Sequence, residues 1–377
     1  MELQSLLRKP DSLILLGKLK IIEGMKENRF LYAARFIACL AVIFIHTRFP
    51  GVAGQYIDAL SRFAVPFFFA VSGRYLLGTG VSMDCQDSRY IRSRMKKTLL
   101  KTVRITFFIY SIYLLFSFIY HVLNKISVKE WLASKFNPGE AVIFLMYNSG
   151  KFIYDGSYTF DHLWYLFALI YVYILIYVFA PVLRKWYKAL IFILLSFLYF
   201  GELLQTYYPI RPFGINICTW YVLRNWLFVG IPFVLIGILF SDHMEKNNVS
   251  MSLEERLLWN KKIKRNSLIF LMAGVAITIV EQSILAKKEV YIGSVIIVVS
   301  LLFLSECGLP GGRFLWKLGK KSSSNIYFYH VLIIACIDIM SNNGIIPVPA
   351  MWLKPFLIAA ICIVLFYLNP FVQKKAG

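Results

Sequence analysis

Charge is what this sequence has least of. Asp, Glu, Lys and Arg make up 16% of its 377 residues, against about 25% in soluble globular domains. That is too little to cover a soluble surface of this size, so a soluble enzyme or binding module is excluded. Acidic residues are the scarcer kind, 20 against 41 Lys and Arg, giving a net charge of +21. The six cysteines (Cys39, Cys85, Cys218, Cys307, Cys336 and Cys362) are scattered, with no CxxC pair and no histidine at ligand spacing. Neither a disulfide framework nor a zinc site is indicated, and no bound metal or cofactor is expected. Most of these thiols fall in apolar runs, where cysteine acts as a small hydrophobe.

What is present is apolar: 59% hydrophobic and 17% aromatic residues, with a mean hydropathy of +0.64. Ten apolar segments approach the length of about 20 residues that a bilayer needs. They lie at 30–47, 63–80, 102–122, 163–183, 189–206, 220–240, 267–285, 290–305, 323–341 and 352–372. A further apolar patch at 140–149 is shorter and reads as re-entrant or interfacial. The expected fold is an all-α membrane protein, a polytopic bundle of about ten transmembrane helices. Residues 1–28 read as a cytoplasmic amphipathic segment and 29–373 as one transmembrane domain; either Met1 or Met25 fits as the natural start.

Basic residues set the expected orientation. With the N-terminus inside, 29 of the 41 Lys and Arg fall in cytoplasmic connections, ten outside, and Arg35 and Arg224 within spans. This asymmetry predicts both termini in the cytoplasm of a multi-pass cell-membrane protein. It also accounts for the net charge without a nucleic-acid partner; the lipid bilayer is the partner it implies.

The sharpest chemical signal lies in the first span, where Arg35 and His46 are eleven residues apart. Eleven helical steps of about 100° come within about 20° of three full turns, and span about 16 Å. One helix face therefore carries a guanidinium near one leaflet and an imidazole near the other. A charge in hydrocarbon costs a few kcal/mol unless it meets a partner or a water-filled cavity. The plain alternative is a snorkelling arginine and an interfacial histidine, which explains either residue more easily than the aligned pair.

That Arg-x10-His spacing resembles the signature of the acyltransferase-3 family of integral membrane acyltransferases. Five further stretches resemble family motifs in order along the chain. Phe67-Phe68-Phe69-Ala70-Val71-Ser72-Gly73 is similar to its FFxxSG element. Arg92-Ser93-Arg94-Met95-Lys96-Lys97 resembles its Arg-x-x-Arg loop, with Lys97 in the place of the second arginine. A lysine does not reproduce the bidentate fork of arginine on a phosphate. His162-Leu163-Trp164-Tyr165-Leu166, Arg224-Asn225 with Gly230-Ile231-Pro232-Phe233, and Ser323-x-x-Ile326-Tyr327-x-x-His330 resemble the remaining elements.

The resemblance implies transfer of an acyl group, usually acetyl, from cytoplasmic acetyl-CoA to a hydroxyl on a glycan acceptor. His46 would be the general base, since imidazole titrates near neutrality, and Arg35 would hold the donor or orient His46. Arg92, Arg94 and Lys97 would meet the phosphates of the acyl-CoA, or else form an ordinary positive-inside loop. Ser72 would line the site, or simply let two helices approach closely. His162, Trp164 and Arg224 would contact the acceptor, unless they belong to an interfacial aromatic belt. His330 is a further substrate-site candidate or a buried structural histidine. Glu202, Glu281 and Asp338, near outer span ends, read as solvated. A second reading is a small-molecule transporter, resembling the membrane half of the serine racemases of vancomycin resistance.

Overall fold

Asn28 starts the first helix: its side-chain oxygen accepts the Leu31 N–H at 2.9 Å, which satisfies one of the amides a helix start leaves open. The helix that follows, α1 (Arg29–Thr47), is apolar on nearly all faces, as a helix packed inside a bundle in a membrane must be. The computed structural model describes residues 28–77, 87–155, 157, 161–207, 223–250, 252–285 and 287–368. The amphipathic segment expected before residue 28 lies outside them.

After α1 come α2 (Gly51–Ser61), α3 (Ala64–Arg74), α4 (Ser88–Leu123), α5 (Val128–Lys135) and α6 (Pro138–Tyr147). The chain continues with α7 (Trp164–Tyr207), α8 (Ile231–Ser250), α9 (Leu253–Ile284), α10 (Ile292–Glu306), α11 (Leu315–Asn342) and α12 (Lys354–Ile363). Among the described residues there is no strand. Among the described residues, seven helical stretches are long and apolar enough to cross a bilayer: Arg29–Thr47, Ser88–Leu123, Trp164–Leu183, Lys185–Leu204, Trp226–Asn247, Leu258–Ile284 and Leu315–Asn342. Three shorter apolar helices, Pro138–Tyr147, Ile292–Glu306 and Lys354–Leu368, accompany them. The protein is an all-helical, multi-pass membrane protein.

The structure departs from the expected segments in three places. The span expected at 63–80 is an eleven-residue helix, α3, which ends at the buried Arg74. A break at residues 62 and 63 separates it from α2. The basic run at 92–97 is not a loop but the early turns of α4, since solvated lysine and arginine are good helix formers. Finally, the two stretches of α7 join across a kink at Phe179. Pro181 causes it, having no N–H for the Tyr177 carbonyl. Arg92 supplies the missing donor, Nε to the Tyr177 carbonyl at 3.1 Å and Nη2 to that of Val178 at 3.2 Å.

Glycines set how closely the bundle packs. A Cβ on Gly73 of α3 would lie 2.0 Å from the Val234 carbonyl oxygen of α8. One on Gly237 of α8 would lie 1.9 Å from the Ala70 oxygen of α3. One on Gly319 of α11 would lie 1.8 Å from the Tyr32 oxygen of α1. Backbone thus meets backbone in the α3–α8 and α1–α11 pairs, the small-residue packing typical of membrane helices. The second pair carries both ends of the candidate site.

Candidate active site

Close packing of α1 on α11 brings His46 to His330, with ring centres 5.3 Å apart. His330 is fully buried, and its Nδ1 lies 2.9 Å from the carbonyls of both Ile326 and Tyr327 on its own helix. Carbonyls accept and do not donate, so Nδ1 carries the proton and Nε2 keeps its lone pair. Behind His330, at 5.1 Å, stands the ring of His162. It comes from the 3-10 turn Asp161–Leu163 that leads into α7. His162 Nε2 donates to the Phe328 carbonyl at 3.1 Å, and the Tyr327 hydroxyl donates to the His162 carbonyl at 2.7 Å.

The remaining aromatic motif residues join these histidines into one seam. Tyr165 lies 5.4 Å from Tyr327 and 4.5 Å from Phe69, centre to centre. Its hydroxyl is 3.1 Å from Ser72 Oγ. The charge of Arg35, half-buried three turns below His46, reaches both Tyr165 and Cys39. The Cys39 thiol donates to the Ser323 carbonyl at 3.3 Å. Four separated stretches of sequence therefore meet along one line from Arg35 to His46, contributed by α1, α3, α7 and α11.

At the His46 end this line opens into a small, partly open crevice. His46, Val42, Trp164, Arg62, Arg224 and Glu289 are among its lining residues. The helix break after α2 delivers Arg62. Asn225, whose side chain accepts the Leu227 and Phe228 N–H groups, caps the π-turn Trp226–Gly230 and fixes Arg224 at its entrance. Glu289 stands on the connection from α9 to α10, 2.6 Å from Arg62 and 3.7 Å from Arg224. Arg62 also pairs with Asp58 at 3.1 Å, and Lys287 with Asp58 at 3.0 Å. Burial pushes the Glu289 carboxyl up, but the guanidiniums of Arg62 and Arg224 with Lys287 outweigh it, and the group sits below the usual carboxylate range. Arg224 further donates to the Tyr154 hydroxyl at 2.6 Å and lies over the Trp164 ring.

A family model, the acyltransferase domain of the acyltransferase-3 family, matches residues 28–369. The chain belongs to the acyltransferase-3 family. No curated protein and no solved structure matches it. Membership makes the chain a membrane acyltransferase, and the crevice lined by His46 is the candidate for its site.

The residues singled out from sequence fall into three groups in this acyltransferase-3 chain. His46, Trp164 and Arg224 line the crevice. Ser72, His162 and His330 support the seam behind it, and His162, only 2% exposed, is not among the lining residues. Arg35 is not among them either. Arg92, Arg94 and Lys97 stand apart on α4, where Arg92 is engaged with α7 and Lys97 is exposed. Two acidic residues read as solvated are buried. Glu202 accepts the Glu289 N–H, and Glu281 accepts the N–H groups of Ile292 and Gly293 at the start of α10. A helix N-terminus offers a carboxylate open donors and a favourable dipole, which replaces the lost water. Sequence reading missed Arg62 and Glu289, although the Asp58–Arg62 spacing of four is itself a pairing signal.

Proposed function

We propose that this chain moves an acetyl group from cytoplasmic acetyl-CoA to a hydroxyl of a cell-surface or secreted polysaccharide, or of its lipid-linked precursor, at the cell membrane. The observation that carries the reading is that the half-buried His46 lines one crevice together with an aromatic ring, two guanidiniums and a carboxylate. Such a wall suits a sugar: Trp164 offers an apolar face, and Arg224 and Glu289 offer a donor and an acceptor to its hydroxyls. His46 takes the proton of one acceptor hydroxyl, whose oxygen attacks the thioester carbonyl. The new C–O bond forms as the C–S bond breaks, and the proton passes from His46 to the departing thiolate. Arg35, about 16 Å from His46 along the helix, holds the polar arm of the donor. Arg94 and Lys97, with Arg92 tied to α7, attract its phosphates.

The test is transfer of label from acetyl-CoA into the glycan fraction of cells carrying the chain. His46→Ala should abolish labelling while the protein inserts at its usual level. Full labelling by that variant removes His46 as the base. Both termini are cytoplasmic in this reading, so a cysteine placed at Lys97 should resist an impermeant thiol reagent in intact cells.

A further inference from the structure

A deeply buried imidazole needs a reason for its bare nitrogen. His330 is fully enclosed, yet among its polar atoms Nε2 has no hydrogen-bond partner. A buried acceptor left open costs about 1–3 kcal/mol. Three rings surround it: His46 at 5.3 Å, His162 at 5.1 Å and Tyr327 at 6.1 Å. Two of them have committed their protons. His162 points an Nε2–H at the Phe328 carbonyl, and Tyr327 gives its O–H to the His162 carbonyl. His46 is the neighbour able to supply an N–H. The rings are tilted by 55° and do not make the bond as they stand. Their 5.3 Å spacing is close to the about 5.2 Å between centres of two imidazoles joined by a linear N–H···N of about 2.9 Å, so a turn of the His46 ring forms it.

We propose that His330 is the positioning residue of His46: its Nε2 accepts a hydrogen bond from the imidazole of His46 and so turns the other ring nitrogen of His46 to the crevice. This rests on His46 being the general base. The two carbonyls that lock the Nδ1 proton of His330 do the work an aspartate performs for other catalytic histidines, fixing a tautomer without placing a charge in the membrane. When His46 gains the acceptor's proton, both its nitrogens carry hydrogen, and the bond to His330 strengthens and holds the cation. His330 touches neither substrate nor donor in this arrangement.

Two measurements test it on the full chain in detergent or native membranes. The first follows modification of His46 by diethyl pyrocarbonate from pH 5 to 9, read by mass spectrometry of the His46 peptide. Its midpoint reports the titration of His46, because the reagent attacks the unprotonated ring. Accepting a bond from the charged form favours that form. His330→Asn and His330→Phe, which offer no acceptor at the Nε2 position, should lower the midpoint by about 0.5–1 pH unit. His330→Gln, whose oxygen reaches that position, should stay near wild type. The other titratable and charged groups around His46, namely Arg62, Arg224, Glu289 and His162, are the same in every variant. The second measurement is label transfer from acetyl-CoA. Asn should lower kcat about 10–100-fold with KM for acetyl-CoA unchanged, and Gln should recover most of it. If Phe fails to insert, Gln against Asn carries the comparison, since both are polar and differ in reach. Equal midpoints and equal kcat for wild type, Gln and Asn overturn the inference while leaving His46 as the base. Retained transfer by His46→Ala overturns the base itself, whatever the His330 variants do.

Discussion

Arg62 and Glu289 face each other at 2.6 Å across the crevice wall, although 227 residues separate them in the chain. One stands at the break between α2 and α3 and the other between α9 and α10. Their pairing closes the wall that neither segment forms alone.

Removing the Glu289 charge therefore takes the shared carboxylate from the buried Arg62, which keeps Asp58, and from the half-buried Arg224. Glu289→Gln should cost about 3 kcal/mol of stability at pH 7, the usual size for breaking a buried pair on one side. The sign with pH follows from the carboxyl being held below its ordinary range. Its contribution is complete above the unfolded value near 4 and is lost as pH falls through the lower folded value. Thermal melts in detergent should thus separate wild type from the variant at pH 7 and draw together as pH falls below the ordinary carboxylate range. A constant gap across that range would contradict the assignment.

A second buried pair ties the connection between α4 and α7. Lys135 Nζ lies 2.7 Å from Asp155 Oδ2, both nearly inaccessible, and Ser117 and Ser157 add hydroxyl donors to the same carboxylate. Lys135→Ala should destabilise by about 3–5 kcal/mol, because the carboxylate stays buried without its cation. The double replacement Lys135→Met with Asp155→Leu should cost less than either single change. A double-mutant cycle of melting temperatures decides this; strict additivity would mean that the pair does not couple.

Gly319→Ala pushes a methyl group to within 1.8 Å of the Tyr32 oxygen, so α1 and α11 must separate. The expected loss is about 1–3 kcal/mol of stability, with a larger fall in acetyl transfer, since the same contact sets the His46–His330 distance. Gly308→Ala, where no atom lies within 4 Å, serves as the control for backbone strain at a glycine with positive φ.

Arg92→Ala should act through the α7 kink. It removes the donor to the carbonyl that Pro181 orphans, at a cost of about 1–2 kcal/mol. Its KM for acetyl-CoA should change less than that of Arg94→Ala, measured in the same membranes. A rise in KM for Arg92→Ala alone would make its main partner a phosphate rather than α7.

The helical bundle and the residues of the seam were readable because apolar length and motif spacing are local properties. Arg35 and His46 share a face by helical periodicity alone, and the chain order of the motifs followed. The wall of the crevice was not readable. Arg62 and Glu289 look like ordinary interfacial charges until the fold brings them together. Glu281 looks solvated until the start of α10 is seen above it. The short length of α3 was hidden for a related reason: the run from Phe63 is apolar enough to span, and nothing local announces the buried partners, Glu306 and Ser241, that receive Arg74 at its end. Hydropathy measures transfer of each residue by itself and does not register a partner from elsewhere in the chain.

The interlocked glycines carry one more consequence. Two helices that touch main chain to main chain cannot ratchet along one another without colliding, so α3 and α8 behave as one rigid strut, and α1 and α11 as another. A rocking carrier would have to shear such seams at every cycle. A catalyst that must keep its reacting groups aligned gains from stiffness at just those places.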